Sequence, residues 1–320
     1  MIMNGPERES ARCGGHVMPP HRETGYLRMT NSGKDPVKWT LFIGLSFIWG
    51  SSFILMKQGM KSLGPFQVAS IRIASAGLVL LPMAPKVYPS VPRGKWGLIL
   101  LSGLLGTFIP AFLFCIAETR IDSGLTGITN ALTPLFTLLI GTLFFGSRIH
   151  WMKWVGVSLG LMGMVMLIWS GRKGEGLGEV GFAGFALLAT VMYGINVNLV
   201  MRHLQGFGSR QITTVALTLL TIPALLILAG TGYFTMPGKD RQWFLSTGAS
   251  MLLGIMGTGV ATLMYYLLLK RAGGLFSTMV TYGIPFVALF WGSLAGEHVG
   301  VLQLLCLLVI LSGVLMAQRK

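Results

Sequence analysis

The sequence predicts an all-α membrane protein with ten transmembrane helices arranged as two inverted five-helix repeats. Hydrophobic residues make up 52% of the 320 residues and charged residues only 11%, whereas ordinary soluble domains carry about 25% charged residues. A bilayer-spanning helix needs about 20 apolar residues, and runs of that length recur along the chain. The strict alternation that marks barrel strands is missing from these runs, so they are expected to be helices.

The predicted spans follow one another from residue 39 to residue 318. All are free of charged residues except the second, which contains Arg72. They cover residues 39–56, 62–85, 96–117, 123–147, 154–171, 180–201, 211–238, 242–269, 272–296 and 299–318.

Two constant offsets relate the halves of the chain, 144 in the first two helices of each half and 151 further along. The matched pairs are Trp49 with Tyr193, Gly50 with Gly194, Ser52 with Asn196, Gly103 with Gly254, Gly106 with Gly257, Thr107 with Thr258 and Pro134 with Pro285. An odd number of spans in each half requires the second half to enter the membrane from the opposite side. Inverted repeats are typical of secondary transporters, whose substrate site lies near the bilayer midplane.

These offsets predict a domain organisation of two repeats, 38–171 and 180–320, joined by a linker at 172–179. Residues 1–37 are polar and are expected to form a disordered cytoplasmic tail, with Met29 as an alternative start. A GxGxxG spacing at 176–181 falls in the linker with no preceding strand, so a dinucleotide site is not expected.

The basic residues follow the predicted topology. Of the 25 Lys and Arg residues, 17 lie on the side of the two termini, 7 lie on the other side, and Arg72 is the last one. The positive-inside rule therefore places both termini in the cytoplasm. Because these charges are spread over short loops rather than gathered in one stripe, nucleic acid is not an expected partner. The expected partners are a small-molecule solute and the lipid bilayer.

Polar residues inside four of the spans predict a midplane cavity. Asparagine within a span is costly unless it finds a partner or faces water, and a proline frees the carbonyl group four residues before it. Small residues that only let helices pack closely are the competing explanation. The predicted solute-binding residues are Trp49, Ser52, Arg72, Asn130, Tyr193, Asn196, Thr281 and Tyr282.

Arg72 has two predicted roles. It lies seven residues after Pro65, about 10 Å along its helix. There it either binds the solute or has a structural role, as the ion-pair partner of Glu118 or as a hydrogen-bond donor to carbonyl groups. Lys57 ends the first span and is expected to anchor it by reaching to the membrane surface. Glu297 is expected to be solvated in a short external loop.

The chain contains no GxxxxGK[ST], GxSxG or HExxH motif and only three widely spaced cysteines. No cofactor, metal or catalytic group is therefore expected. A secondary transporter is the leading hypothesis, and a membrane-embedded enzyme or lipid-processing protein and a non-transporting scaffold are the alternatives. The spacing Gly156-x-x-x-Gly160 predicts a helix-packing face, used within the chain or in a homodimer through peripheral helices.

The chain resembles the EamA family of the drug/metabolite transporter superfamily. The resemblance rests on WGSSFILMK at 49–57, Arg72, Pro134 and IPFVALFWGSLAGE at 284–297. It implies a central cavity inside helices one to four and six to nine, with helices five and ten at the periphery. It also implies an inner-membrane exporter or exchanger of small metabolites, commonly amino acids or related compounds. Ser147-Arg148 stands where family members often carry glutamate.

Overall fold

The computed structural model describes residues 36–145, 151–170, 178–297 and 300–318, and the regular structure over these residues is helical. The predicted tail up to residue 35 and most of the linker lie outside the described residues. The α-helices are α1 (Pro36–Gly59), α2 (Pro65–Leu80), α3 (Ala84–Val87), α4 (Arg93–Gly103), α5 (Ile109–Ala117), α6 (Ser123–Asn130), α7 (Thr133–Phe145), α8 (Trp151–Ser170), α9 (Gly178–His203), α10 (Ser209–Gly230), α11 (Arg241–Leu252), α12 (Ala261–Thr278), α13 (Val280–Leu294) and α14 (Val301–Gln318).

Within the described ranges, seven helical stretches are long and apolar enough to cross a membrane. They are Pro36–Gly59, Pro65–Ser90, Arg93–Ala117, Ser123–Phe144, Gly181–His203, Ser209–Gly230 and Arg241–Thr278. Three shorter apolar helices accompany them, at Trp154–Leu167, Val280–Leu294 and Val301–Ala317. The chain is thus a polytopic helical membrane protein.

Two π-helical segments occupy matching places in the two halves. Leu104–Phe108 joins α4 to α5, and Leu253–Val260 joins α11 to α12. The 151-residue offset carries the first segment onto the second. A π-segment interrupts the regular hydrogen-bond ladder, and such interruptions are frequent at functional sites.

The two halves also share hydrogen bonds at helix starts and near helix breaks. The side chain of Gln67 accepts the Gly64 N–H at 2.9 Å, and that of Gln211 accepts the Gly208 N–H at 2.6 Å. After α6 the Ala131 N–H donates to Ile128 O, and at the matching position in α13 the Tyr282 N–H donates to Met279 O. These tight turns precede the two prolines predicted to interrupt their spans.

Glycines allow helices of the chain to approach one another closely. A Cβ atom on Gly50 of α1 would lie 2.9 Å from the Ile284 carbonyl oxygen of α13. A Cβ atom on Gly194 of α9 would lie 2.9 Å from the backbone of Thr137 in α7. Small residues allow this contact because only they leave room for a neighbouring backbone.

The glycine face predicted on α8 is used inside the chain. A Cβ atom on Gly156 would lie 2.5 Å from the Gly313 carbonyl oxygen of α14. Gly163 likewise faces Ile310 of that helix. Helices α8 and α14 therefore form a closely packed pair.

Candidate solute-binding cavity

A cavity with about 820 Å³ of empty space, its mouth included, lies among helices of both halves. Its floor and walls come from α1, α2, α5, the two π-segments, the α6–α7 break, α9, α12 and α13. The lining residues are Trp49, Ser52, Phe53, Met56, Arg72, Gly106, Thr107, Phe114, Asn130, Thr133, Tyr193, Asn196, Val197, Gly257, Thr258, Thr262, Tyr265, Tyr266 and Thr281.

Seven of the eight sequence-predicted residues are among those that line this cavity. Tyr282 is the eighth, and it packs instead into an apolar cluster that contains Ile128, Leu132 and Leu307. One residue along a helix turns the side chain by about 100°. Tyr282 therefore faces away from the cavity that its neighbour Thr281 lines.

Ser52 and Asn196 occupy matching positions against the two π-segments. A Cβ atom on Gly257 would lie 2.7 Å from Ser52 Oγ, and one on Gly106 would collide with the amide of Asn196. Trp49, one turn before Ser52, donates its indole N–H to the Gly257 carbonyl oxygen at 3.0 Å. Glycine at both π-segments thus lets the polar side chains of the opposite half approach the backbone.

Asn196 belongs to a buried hydrogen-bond group that the sequence did not reveal. Ser102 donates its hydroxyl to Asn196 Oδ1 at 2.6 Å, and its oxygen lies 3.0 Å from the Tyr266 hydroxyl. Asn196 Nδ2 also donates to Tyr266 at 3.4 Å. Asn198 differs, because its Nδ2 donates to the backbone oxygens of Thr137 and Gly194 and holds α9 against α7.

Threonines of the π-segments were also missed as lining residues, although the sequence offered a signal. The Gly-Thr dipeptides at 106–107 and 257–258 match at the 151 offset, and both threonines line the cavity. Each is buried and polar within an apolar span. A repeated polar pair at matching depth indicates a shared lining face.

Arg72 is buried at 7% exposure and is held by groups of the cavity wall. Its Nε donates to Thr258 Oγ1 at 2.7 Å, and Nη1 lies 3.7 Å from Met56 Sδ. The ion pairs found among the described residues both involve Lys57. The predicted alternative, an ion pair between Arg72 and Glu118, is therefore wrong, because the Arg72 side chain turns toward the π-segment.

Lys57 and Glu297 form an ion pair at one end of the cavity helices. Lys57 Nζ lies 2.6 Å from Glu297 Oε1 and 3.3 Å from Asp122 Oδ1. Ser123 Oγ donates to Glu297 at 2.8 Å, and the Gly124 N–H donates to Oε2 at 3.2 Å. We call Lys57, Asp122, Ser123, Gly124 and Glu297 the Lys57 cluster.

The Lys57 cluster corrects two predictions. Lys57 is an ion-pair partner rather than a surface anchor, and the Glu297 side chain is 9% exposed rather than solvated. Gly296 adopts φ +82°, and the Glu297 N–H returns to the Gly292 carbonyl oxygen at 2.9 Å. This left-handed helix end folds Glu297 back onto α6. Burial raises the pKa of Glu297, but hydrogen bonds from Lys57 and Ser123 outweigh it and leave that pKa lowered.

The lining chemistry is that of a binding site. Hydroxyl, amide and aromatic side chains surround the cavity, and Arg72 is the charged group among its described lining residues. The described part of the chain holds no group of three or more His, Cys, Asp or Glu residues placed to bind a metal. Fold and cavity together define a polytopic membrane protein with an internal polar cavity, the class to which membrane transporters belong.

Comparison with known proteins specifies the family. The model of the EamA-like transporter family matches residues 38–169 and again 182–318, one match to each half. The chain belongs to the EamA-like transporter family.

Similar proteins carry transporter names. The chain is 28% identical to the "Uncharacterized inner membrane transporter YedA" of Escherichia coli K12, over 88% of this chain and 90% of that protein. It is 25% identical to the "Probable amino-acid metabolite efflux pump" of the same organism, over 83% and 80%. It is 24% identical to the "S-adenosylmethionine/S-adenosylhomocysteine transporter" of Chlamydia muridarum, over 83% and 86%.

A crystal structure shares the fold. It aligns with a TM-score of 0.60 and 19% sequence identity, over 88% of this chain and 96% of that chain. At this identity the likeness concerns the fold alone.

Proposed function

We propose that the protein is a secondary transporter of the inner membrane that exports or exchanges small metabolites bearing a carboxylate, such as amino acids and related compounds. The observation that carries this proposal is a buried arginine, Arg72, in a polar and aromatic cavity lined by both halves of the chain. A charged group inside a membrane protein marks a solute pathway by default.

The proposed architecture is ten membrane-crossing helices in two inverted repeats, 38–171 and 180–320, with both termini in the cytoplasm. Contacts between helix ends support the inversion. The end of α1 reaches Asp122 through Lys57. Two residues from Asp122, Arg120 lies 5.9 Å from the ring of Phe182, near the beginning of α9. These contacts support an arrangement in which α1 and α9, which begin the two repeats, run in opposite directions.

The proposed solute lies with its carboxylate at Arg72. The guanidinium has five N–H donors, and no described residue accepts a hydrogen bond from Nη2. A carboxylate offers a bidentate partner to such a planar fork. The rings of Trp49 and Tyr265, 5.2 Å apart, supply an apolar surface for the remainder of the solute. The names of the amino-acid and S-adenosylmethionine relatives accord with this chemistry.

The proposed mechanism is alternating access. The halves share one plan and meet at the cavity, so rocking of one half against the other exposes the cavity to each side in turn. The Lys57 cluster joins α1, the start of α6 and the loop after α13, and it holds one end closed. Opening that end requires the Lys57–Glu297 contact to break.

The test is uptake by proteoliposomes, screened with a panel of radiolabelled amino acids and related carboxylates. Arg72→Lys keeps the charge but loses the planar fork, so a loss of about tenfold or more in uptake is expected from one charge-assisted hydrogen bond. Arg93→Lys, at an exposed position on α4, is the matched control and should transport normally. Thermal stability in detergent separates lost binding from lost folding. Wild-type uptake by a stable Arg72→Ala variant would contradict the assignment, and a wild-type protein that moves no carboxylate would contradict the solute class.

A further inference from the structure

Glu118 is a carboxyl group whose burial the transport site does not explain. It lies in the turn after α5, one helical turn beyond the cavity residue Phe114, whose carbonyl oxygen accepts the Glu118 N–H at 3.0 Å. The residue is 3% exposed. Neither carboxyl oxygen has a hydrogen-bond partner among the described residues. A buried carboxylate with no donor is costly, so such a group carries a proton unless a cation approaches it.

The groups that face Glu118 come from several elements. Lys57 on α1, Glu297 in the loop after α13 and Arg72 on α2 act on it electrostatically, and Cys115 lies on its own helix. The ionisable group that α9 contributes nearby is Tyr193, which interacts with Arg72 and Cys115. Burial raises the pKa of Glu118 well above its ordinary value, more than the Lys57 and Arg72 charges lower it. Both cations have nearer partners, Glu297 for Lys57 and Thr258 for Arg72.

We propose that Glu118 is the proton-carrying site of the transport cycle, protonated while Lys57 is paired with Glu297 and deprotonated when Lys57 leaves Glu297 to pair with it. This rests on the proposed transport function. In the deprotonation step, the O–H bond of the carboxyl breaks and the proton passes to water at the opened end. The carboxylate charge is then balanced by the Lys57 ammonium, and Glu297 becomes solvated. Once the Lys57 end has closed and the opposite end has opened, Glu118 takes up a proton from water that enters the cavity on that side. Each cycle therefore carries one proton across the membrane and couples it to the movement of solute.

One experiment tests the proton site without any solute. Infrared difference spectra of the purified full chain, recorded between about pH 5 and pH 9, report a protonated carboxyl group through its carbonyl band. Wild type should show this band at neutral pH, and Glu118→Gln should lack it. Asp240→Asn is the control, because Asp240 accepts the Trp243 N–H at 2.8 Å as a helix cap and asparagine also caps. A band that survives in Glu118→Gln would overturn the proposal whatever the protein transports.

A second experiment tests coupling in proteoliposomes with a radiolabelled amino acid mixture. Glu118→Gln mimics the protonated side chain, so it should retain solute counterflow and lose accumulation driven by a pH gradient by about tenfold or more. Accumulation equal to that of wild type would overturn the proposal. Absence of counterflow in wild type itself would instead contradict the proposed transport function and leave the infrared result to decide on Glu118.

Discussion

In the proposed inverted architecture, matching positions at the two ends of the cavity helices carry different chemistry. At one end Lys57 pairs with Glu297, and Ser123 donates to the same carboxylate. At the other end the repeat offsets put Met201 where Lys57 stands and Gly274 where Ser123 stands. A Cβ atom on Gly274 would lie 3.4 Å from Met201 Cγ, an ordinary apolar contact.

The two ends have similar backbones, but their side chains give them different resistance to opening. An ion pair with several hydrogen bonds is stable in one geometry and responds to protons. A methionine against a glycine gains only dispersion and apolar burial, and it tolerates small displacements. We therefore expect the Lys57 end to open as a discrete, proton-sensitive event and the Met201 end to open with less resistance.

The largest expected effect comes from Glu297→Gln. It removes the carboxylate that pairs with Lys57 and accepts from Ser123, and loss of charge-assisted hydrogen bonds costs about 2 kcal/mol, roughly a 30-fold shift toward the open end. A Thr262→Cys reporter in the cavity, labelled by an impermeant maleimide supplied at the Lys57 end, measures that shift. The reporter background carries Cys13→Ser, and the native Cys115 and Cys306, which are buried, give the background rate. Unchanged labelling would show that the ion pair does not hold this end closed.

Gly296→Ala is expected to weaken the same end less. Gly296 has φ +82°, and a side chain in the left-handed region costs about 1 kcal/mol. This strain loosens the turn that presents Glu297, so reporter labelling from the Lys57 end should rise about fivefold. Gly300→Ala is the control, because Gly300 has open space around it and no left-handed backbone. Equal effects of both changes would rule out a specific role for the turn.

Met201→Ala tests the other end. Met201 is only half-buried, so truncation should cost about 1 kcal/mol, below the range for fully buried methionine. Labelling of the cavity reporter should increase when the maleimide is supplied at the Met201 end. The increase should not depend on pH, because neither Met201 nor Gly274 has a titratable side chain. Increased labelling from the Lys57 end instead would reverse the assignment.

The smallest effect near neutral pH is expected from Glu297 protonation. Its pKa is lowered by the contacts with Lys57 and Ser123. Their contribution to stability is therefore fully present above its ordinary value of 4.5 and is lost as pH falls through the lower value of the folded protein. The measurement uses a Glu118→Gln background, which removes the proposed proton site, and labelling is divided at each pH by that of the unfolded protein because maleimide reacts with the thiolate. Labelling from the Lys57 end should then stay flat from pH 7 to pH 5 and rise below pH 4.5. Adding Glu297→Gln to this background should make the titration flat at all these pH values, and a rise there would assign the sensitivity to another group.

The cavity shows how far sequence reasoning reaches. The offset between Ser52 and Asn196 predicted two polar side chains that both line one cavity. The prediction was possible because residues matched by an internal repeat occupy equivalent positions in the two halves. Ser102 and Tyr266 were missed as partners of Asn196, since they come from α4 and α12 and only packing brings those helices together. Tyr282 was predicted to line the cavity but packs in an apolar cluster. The rotation of α13, which depends on the helix break before it, decides which side chains face the cavity.

Composition, span length and the repeat offsets by themselves determined that the chain is a helical membrane protein of two similar halves, because apolar length and residue spacing are properties of the sequence. The sequence also identified Arg72, the prolines within the spans and the paired glycines as features of the two halves. Tertiary structure alone decided that Arg72 contacts Thr258 rather than Glu118 and that Lys57 pairs with Glu297. It also decided that Glu118 is buried with no hydrogen-bond partner among the described residues. The protonation and pairing of a charged group inside a protein depend on which groups from distant segments lie close to it. The distances between those groups are fixed only when the helices pack.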